Sequence, residues 1–207
     1  MCIRDRSDTV MLSVLPNQLS SIVGQLTFRA DQTIVSMIAG RSLASLAELV
    51  APAKNVFRII PMPPIEWGVG PIVLTPPNAT LEKLFSTFGT PIEVADENQF
   101  SAFSASSAVM ASFFEFVASQ ARWLESQGVP RPTATRYATS LIHSLAEMTT
   151  HASDEALQEL PEECLTVGGL NEQVLRESLA EGWFEKMDQR LDRIAARLEA
   201  AKKKDGV

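Results

Sequence analysis

Two stretches of this chain carry residue types and spacings that could do chemistry. Ser101 to Gln120 opens with small residues, among them Ser104, Ser106 and Ser107, and turns bulky at Met110, Phe113, Phe114, Phe116 and Val117. A helix apolar around most of its circumference is a buried one, so this stretch is expected in a core. The first N–H groups of a helix lack partners, and small hydroxyl residues there either cap it or leave room for an anionic ligand. Both readings stand at this point. Further on, Gly168 and Gly169 break the chain before Asn171 starts another helix. Glycines in such a place serve a plain interhelical turn, or let backbone come close to something bound.

The remaining reactive side chains have blander explanations. His143 lies within a helical stretch, and His151 follows a helix end, where a cation complements the helix dipole. Cys164 has no basic neighbour within a few residues to activate it, so packing is its expected role. Asp96 and Glu97 are adjacent, and neighbours in an extended link point apart. Two cysteines, Cys2 and Cys164, and two histidines do not compose a zinc site of usual spacing, so no metal is expected. The G-x-G of Gly68, Val69 and Gly70 runs into Pro71 in a proline-rich loop, unlike a dinucleotide fingerprint.

The totals bound the class. At 207 residues, 45% hydrophobic and 21% charged, the chain has the composition of an ordinary globular protein. A net charge of -7 speaks against a nucleic-acid partner, and Lys202 to Lys204 read as a solvated tail. Residues 11–28 lack charge, yet Pro16, Asn17, Gln18 and Gln25 make them a poor membrane span. No nucleic acid, no membrane and a cytoplasmic location are therefore the expectations. Residues 1–6, MCIRDR, are charge-dense and without period before a clean strand, as a non-native leader would be.

The elements that must position these residues follow from periodicity. Near-continuous apolar runs at 9–15, 33–40 and 55–61 read as strands buried on both faces. Helices at 19–28 and 42–50 separate them, which is the order of a parallel sheet flanked by helices. Residues 61–77 hold six prolines and a strand at 71–75; a helix at 78–89 and a short strand follow. Beyond a boundary near Ala95 only helical signals remain, from 101–127 through 131–150, 154–160 and the stretch starting at Asn171. In the last helix Phe184, Met187, Leu191, Ile194 and Leu198 form a stripe that seeks a partner helix, within the chain or in a second copy.

Five stretches in order resemble the pyrroline-5-carboxylate reductase family. Ser7 to Pro16 looks like the strand and Val-x-Pro loop beside the nicotinamide cofactor, and Val35 to Gly40 like the following Ser-x-x-Ala-Gly strand. Arg58 to Pro64 is similar to Arg-x-Met-Pro-Asn-Thr-Pro. Ser104 to Met110 occupies the place of Ser-Gly-Ser-Gly-Pro-Ala-Tyr, and Thr166 to Asn171 that of Ser-Pro-Gly-Gly-Thr-Thr. The resemblance implies an α/β plus all-α fold: residues 7–95 as the C-terminal part of a Rossmann-type NAD(P)-binding domain, and 96–207 as a helical dimerisation and substrate domain. It implies hydride transfer from NADPH or NADH to a cyclic imine, 1-pyrroline-5-carboxylate, giving proline.

It also implies residue roles. Val14, Leu15, Pro16, Ala39, Gly40, Pro61 and Met62 would touch the cofactor. Ser104, Ser106, Ser107, Gly168, Gly169 and Asn171 would hold the imino-acid substrate, with Asn171 as the catalytic donor. A homodimer or higher homo-oligomer is implied as well. Ala105, Ser107, Leu170, Met62 and Val167 depart from the family pattern, which leaves two alternatives: a reductase of another small imine, or a non-catalytic dimeric relative. The Gly-rich segment that binds phosphates is expected to belong to sequence upstream of this chain, and with it any nucleotide affinity of useful strength.

Overall fold

The computed structural model describes residues 6–204, without the side chains of Glu155, Lys202 and Lys204. The expected leader lies outside the described residues except for Arg6. The chain divides into two compact units, residues 1–108 with 190–207, and residues 109–189.

The first unit is a five-stranded sheet with helices on both faces. Its strands β1 (Thr9–Leu12), β2 (Thr33–Ser36), β3 (Asn55–Pro61), β4 (Pro71–Thr75) and β5 (Thr90–Glu93) lie side by side in chain order. Helices α1 (Leu19–Val23) and α2 (Leu43–Leu49) connect the first three strands, which pair in parallel, as the strand–helix alternation predicts. The β3–β4 ladder is antiparallel, within a sheet whose other ladders run parallel as expected. Only a short link with a 3-10 turn, Pro63–Trp67, joins β3 to β4, too short for the crossover that parallel neighbours require. Helix α3 (Ala79–Phe85) restores the parallel sense between β4 and β5.

Alternation along the strands sorts the core. Ile34 and Val56 face Leu19, Val23, Leu46 and Val50 of α1 and α2. Val35, Phe57, Ile59, Ile72 and Leu74 face Leu81 and Phe85 of α3 on the other side. Each such side chain contributes roughly 1.5–3 kcal/mol on burial, so this double-sided core accounts for the continuous apolar strand runs.

Helix α4 (Glu97–Ser106) also belongs to the first unit, because Phe100 packs on Val73 and Val94. The unit thus extends past Ala95, where strand signals stop. Asp96 caps α4 by accepting from Asn98 N at 2.8 Å, so this helix starts ahead of the serines and not at them.

In the second unit α5 (Met110–Ser126) and α6 (Arg131–His151) pack as a hairpin. Helices α7 (Asp154–Glu163), α8 (Leu170–Ala180) and the first turns of α9 (Trp183–Lys204) complete it. The expectation of a buried α5 fails. No residue of α5 is buried, and Phe113 and Phe114 are 45% and 58% exposed. A face apolar all round serves a core or an interface equally well, and within one chain this face is uncovered. By length and composition the run Glu97–Ser126 could also cross a membrane, though a 3-10 turn at Ser107–Val109 separates α4 from α5. The α9 stripe divides: Phe184 lies against Trp183, whose ring meets Phe116 at a tilt, while Ile194 and Leu198 line a cavity of the first unit.

Candidate functional site

The carboxyl ends of parallel strands in an open α/β sheet are where ligands bind. Here those ends open into a cavity of about 340 Å³. Its walls include Ser13 just past β1, Met37 and Ala39 past β2, Arg58 and Pro61 of β3, Ser104 and Ser107. Four of the residues expected at the cofactor and substrate sites, Ala39, Pro61, Ser104 and Ser107, therefore meet in one place.

The serines reach it by an unexpected route. They sit at the C-terminal end of α4, and their hydroxyls donate backwards, Ser104 Oγ to Phe100 O at 3.4 Å and Ser107 Oγ to Ser104 O at 2.9 Å. Neither is an N-cap, which corrects both readings of a helix start. With their protons turned to the backbone, these oxygens face a ligand as acceptors. Ser106 is exposed and does not line the cavity.

Arg58 is the residue that motif reasoning undervalued. It is 3% exposed, its Nη1 donates to Glu97 Oε1 at 2.6 Å, and its guanidinium lies 4.5 Å above the Phe100 ring. Burial pushes its pKa below the ordinary value, and the Glu97 carboxylate acts against that shift. The same Glu97 Oε1 accepts from Leu43 N at 2.8 Å. One carboxylate oxygen thus joins β3, which carries Pro61, the start of α2, which follows the Gly40 loop, and the start of α4, which leads to Ser104 and Ser107. Arg58 Nε and Thr75 Oγ1, on residues paired across the β3–β4 ladder, are buried without partners. The signal was present in the sequence as a lone arginine inside an apolar strand run, a position that demands a carboxylate.

A second cavity of about 430 Å³ adjoins, lined by Pro16, Asn17, Ala39, Gly40, Arg41, Arg197, Leu198 and Ala201. Pro16 and Gly40 from the expected cofactor set belong here. Val14 instead packs against the α1–α2 core, Leu15 is 61% exposed, and Met62 is half-buried beside the proline turn.

Gly168, Gly169 and Asn171 lie in the second unit. Gly169 precedes α8 and Gly168 adopts φ +72°, a left-handed conformation that favours glycine. The Gly168 N–H already donates to the Glu172 carboxylate at 2.7 Å, and Asn171 Nδ2 donates to Cys164 O at 3.2 Å. The turn is therefore self-satisfied in part, and Val167 and Leu170 beside it are 97% and 84% exposed.

The second unit has its own groove, about 600 Å³ between α5 and α6, walled by Phe113, Phe114, Val117, Ala138 and Ile142 with Arg131 and His143 among its polar residues.

Comparison with known proteins gives a consistent answer. A family model described as pyrroline-5-carboxylate reductase dimerisation matches residues 97–201. The pyrroline-5-carboxylate reductase of Haemophilus influenzae is 26% identical over 174 residues, 79% of this chain and 64% of that protein. That of Corynebacterium melassecola is 26% identical over 156 residues, 70% of this chain and 58% of its own length. The chain thus spans about six-tenths of the length of the curated relatives it matches. Among solved structures, the 1-pyrroline-5-carboxylate reductase of Streptococcus pyogenes superposes with a TM-score of 0.84 at 23% identity, covering 96% of this chain and 78% of that one. The NADP-bound pyrroline carboxylate reductase of Plasmodium falciparum gives 0.84 at 17% identity, over 96% and 79%. At these identities the structures establish a shared fold.

Proposed function

The chain belongs to the pyrroline-5-carboxylate reductase family, and from that premise we propose that its protein reduces a small cyclic imine, first of all 1-pyrroline-5-carboxylate, to proline, in the cytoplasm and as a homodimer. The observation that carries this is the convergence of Ala39, Pro61, Ser104 and Ser107 on one cavity. Residues from the cofactor set and the substrate set must meet for hydride to pass between their ligands.

The cavity suits a nicotinamide. Met37, Ala39 and Pro61 would supply apolar walls to such a ring, and Ser13 a hydroxyl to its polar substituent. When bound, the reduced ring supplies the hydride. The chain's own residues orient the imine. Ser104 and Ser107 present oxygens to the N–H of the protonated imine, favouring the form whose C=N carbon accepts hydride. Hydride delivered to that carbon would make the C=N bond single, with its electron pair neutralising the nitrogen as the amine forms. Within the second unit, the Asn171 amide keeps a second N–H beyond the one given to Cys164, a donor of the kind a carboxylate takes. NADPH and NADH both fit this scheme.

The test is NADPH oxidation by the protein of the complete gene in the presence of 1-pyrroline-5-carboxylate, with proline measured as product. One observation favours a second reading, a dimeric relative without turnover: Glu172 already occupies the Gly168 N–H that a substrate carboxylate would use. A folded protein that consumes no NADPH, and gains turnover with Glu172→Gln, would decide for a blocked substrate turn.

A further inference from the structure

The serine-lined cavity holds a charge that the hydride scheme leaves unused. Among the described residues that line it, Arg58 alone is ionised. Its side chain is 3% exposed and is joined to Glu97 through Nη1 only; Nε is buried without a partner, and no hydrogen bond links Nη2 to the described residues. Nε and Nη2 form one edge of the guanidinium, the flat fork that takes both oxygens of a carboxylate. A buried charged donor left unmade is costly, and an anion entering from the cavity would complete it. Glu97 does not line the cavity, so its own carboxylate does not stand in that anion's place.

Acceptors come from α4. Ser104 Oγ and Ser107 Oγ donate to backbone carbonyls, which leaves their lone pairs for a ligand. Phe100 ties the two kinds of group together: its carbonyl takes the Ser104 proton at 3.4 Å, and its ring centroid lies 4.5 Å from the guanidinium carbon of Arg58. A pair of acceptors and a cationic fork in one space of about 340 Å³ complement a small molecule that carries an N–H and a carboxylate together.

We infer that Arg58 is a ligand residue, binding the carboxylate of a small cyclic amino or imino acid whose ring N–H lies against Ser104 and Ser107. The carboxylate site rests on the cavity alone; making its occupant the substrate of a reductase rests on the reading above. Selection then follows charge, because a cyclic imine or amine without a carboxylate leaves the fork empty.

The experiment is a titration of the 207-residue chain with L-proline and, separately, with pyrrolidine, which has the same ring N–H groups and no carboxylate, followed at the Arg58 Nε–H resonance. Proline is expected to move that resonance and to bind more tightly than pyrrolidine, which should leave it in place. Replacing both partners, Arg58→Met with Glu97→Leu, strands no buried charge and should weaken proline about tenfold or more without weakening pyrrolidine. Arg58→Lys, which keeps the charge and loses the fork, should fall between. An Nε–H that ignores saturating proline, a result that needs no variant, or a proline affinity untouched in the paired variant overturns the inference. Proline held by Arg58 in a protein that does not turn over 1-pyrroline-5-carboxylate keeps the site and defeats the reductase reading. Turnover in a protein whose Arg58 Nε–H ignores proline does the reverse.

Discussion

Replacing Glu97 by alanine tests whether one carboxylate holds the carboxyl end of the sheet together. In the native chain Glu97 Oε1 takes Arg58 Nη1 at 2.6 Å and Leu43 N at 2.8 Å, while Arg58 Nε is already without a partner. Glu97→Ala leaves a guanidinium that is 3% exposed with its Nη1 donor also unpaired, and strands the first N–H of α2. Breaking a buried pair on one side costs roughly 3–5 kcal/mol, and the 27% exposure of Glu97 places this case near the lower bound, about 3 kcal/mol. Glu97→Gln retains an acceptor for both donors and loses only the charge, so about 1 kcal/mol is expected. Replacing both partners, Arg58→Met with Glu97→Leu, should cost less than Glu97→Ala alone, since no buried charge remains. Native-state hydrogen exchange of the Val35, Phe57 and Leu74 amides reads the opening free energy of the first unit directly. A Glu97→Ala penalty below about 0.5 kcal/mol, or a Gln variant as damaging as the Ala variant, would refute the reasoning.

The other expectations are briefer. Thr75→Val removes a fully buried hydroxyl that has no partner, and should leave thermal stability unchanged or raise it by up to about 1 kcal/mol, measured by calorimetry. Gly40→Ala meets both a φ of +75° and the Ala201 side chain, and should cost about 1–2 kcal/mol; adding Ala201→Gly should recover only the contact part. Glu162 and Asp31 are held below the usual carboxylate range chiefly by hydrogen bonds from Arg176 and Arg29. Because that lowering belongs to the folded state, both pairs favour folding above the ordinary carboxylate pKa values and lose this as pH falls through the lowered ones. Carbon-detected titration should place both carboxyls low, and Arg176→Ala should return Glu162 to its normal range. Phe114, 58% exposed in the single chain, should lie under a second copy; Phe114→Glu is expected to yield a folded monomer in sedimentation experiments.

What the sequence disclosed and what it hid divide along physical lines. The strands were legible because burial on both faces leaves uninterrupted apolar runs, as at Ile34–Val35 and Ile72–Leu74. The direction of β4 was hidden in composition but implied by the short link after Pro61, which leaves no room for a crossover. Hydropathy made α5 apolar without saying what would cover it, since a core and an interface use the same residues. Ser104 and Ser107 were singled out as a helix start, which they are not: Asp96 starts α4 early, and the serines line the cavity from the helix's other end. The Arg58–Glu97 pair joins residues far apart in sequence, and only the arginine's presence in an apolar run announced it. The self-satisfied turn at Gly168 depended on Glu172, a helix-start glutamate whose reach back to the turn is a capping habit.

The central claim is that Ser104 and Ser107 hold an imine where a nicotinamide can reach it. The most direct measurement follows NADPH consumption and proline formation with 1-pyrroline-5-carboxylate, comparing the complete gene's protein with its Ser104→Ala, Ser107→Ala double variant. Proline formed in step with NADPH consumed, and a kcat/KM lowered about tenfold or more in the variant, is the predicted result. Absence of proline from a folded dimer, or a variant that turns over undiminished, would contradict it.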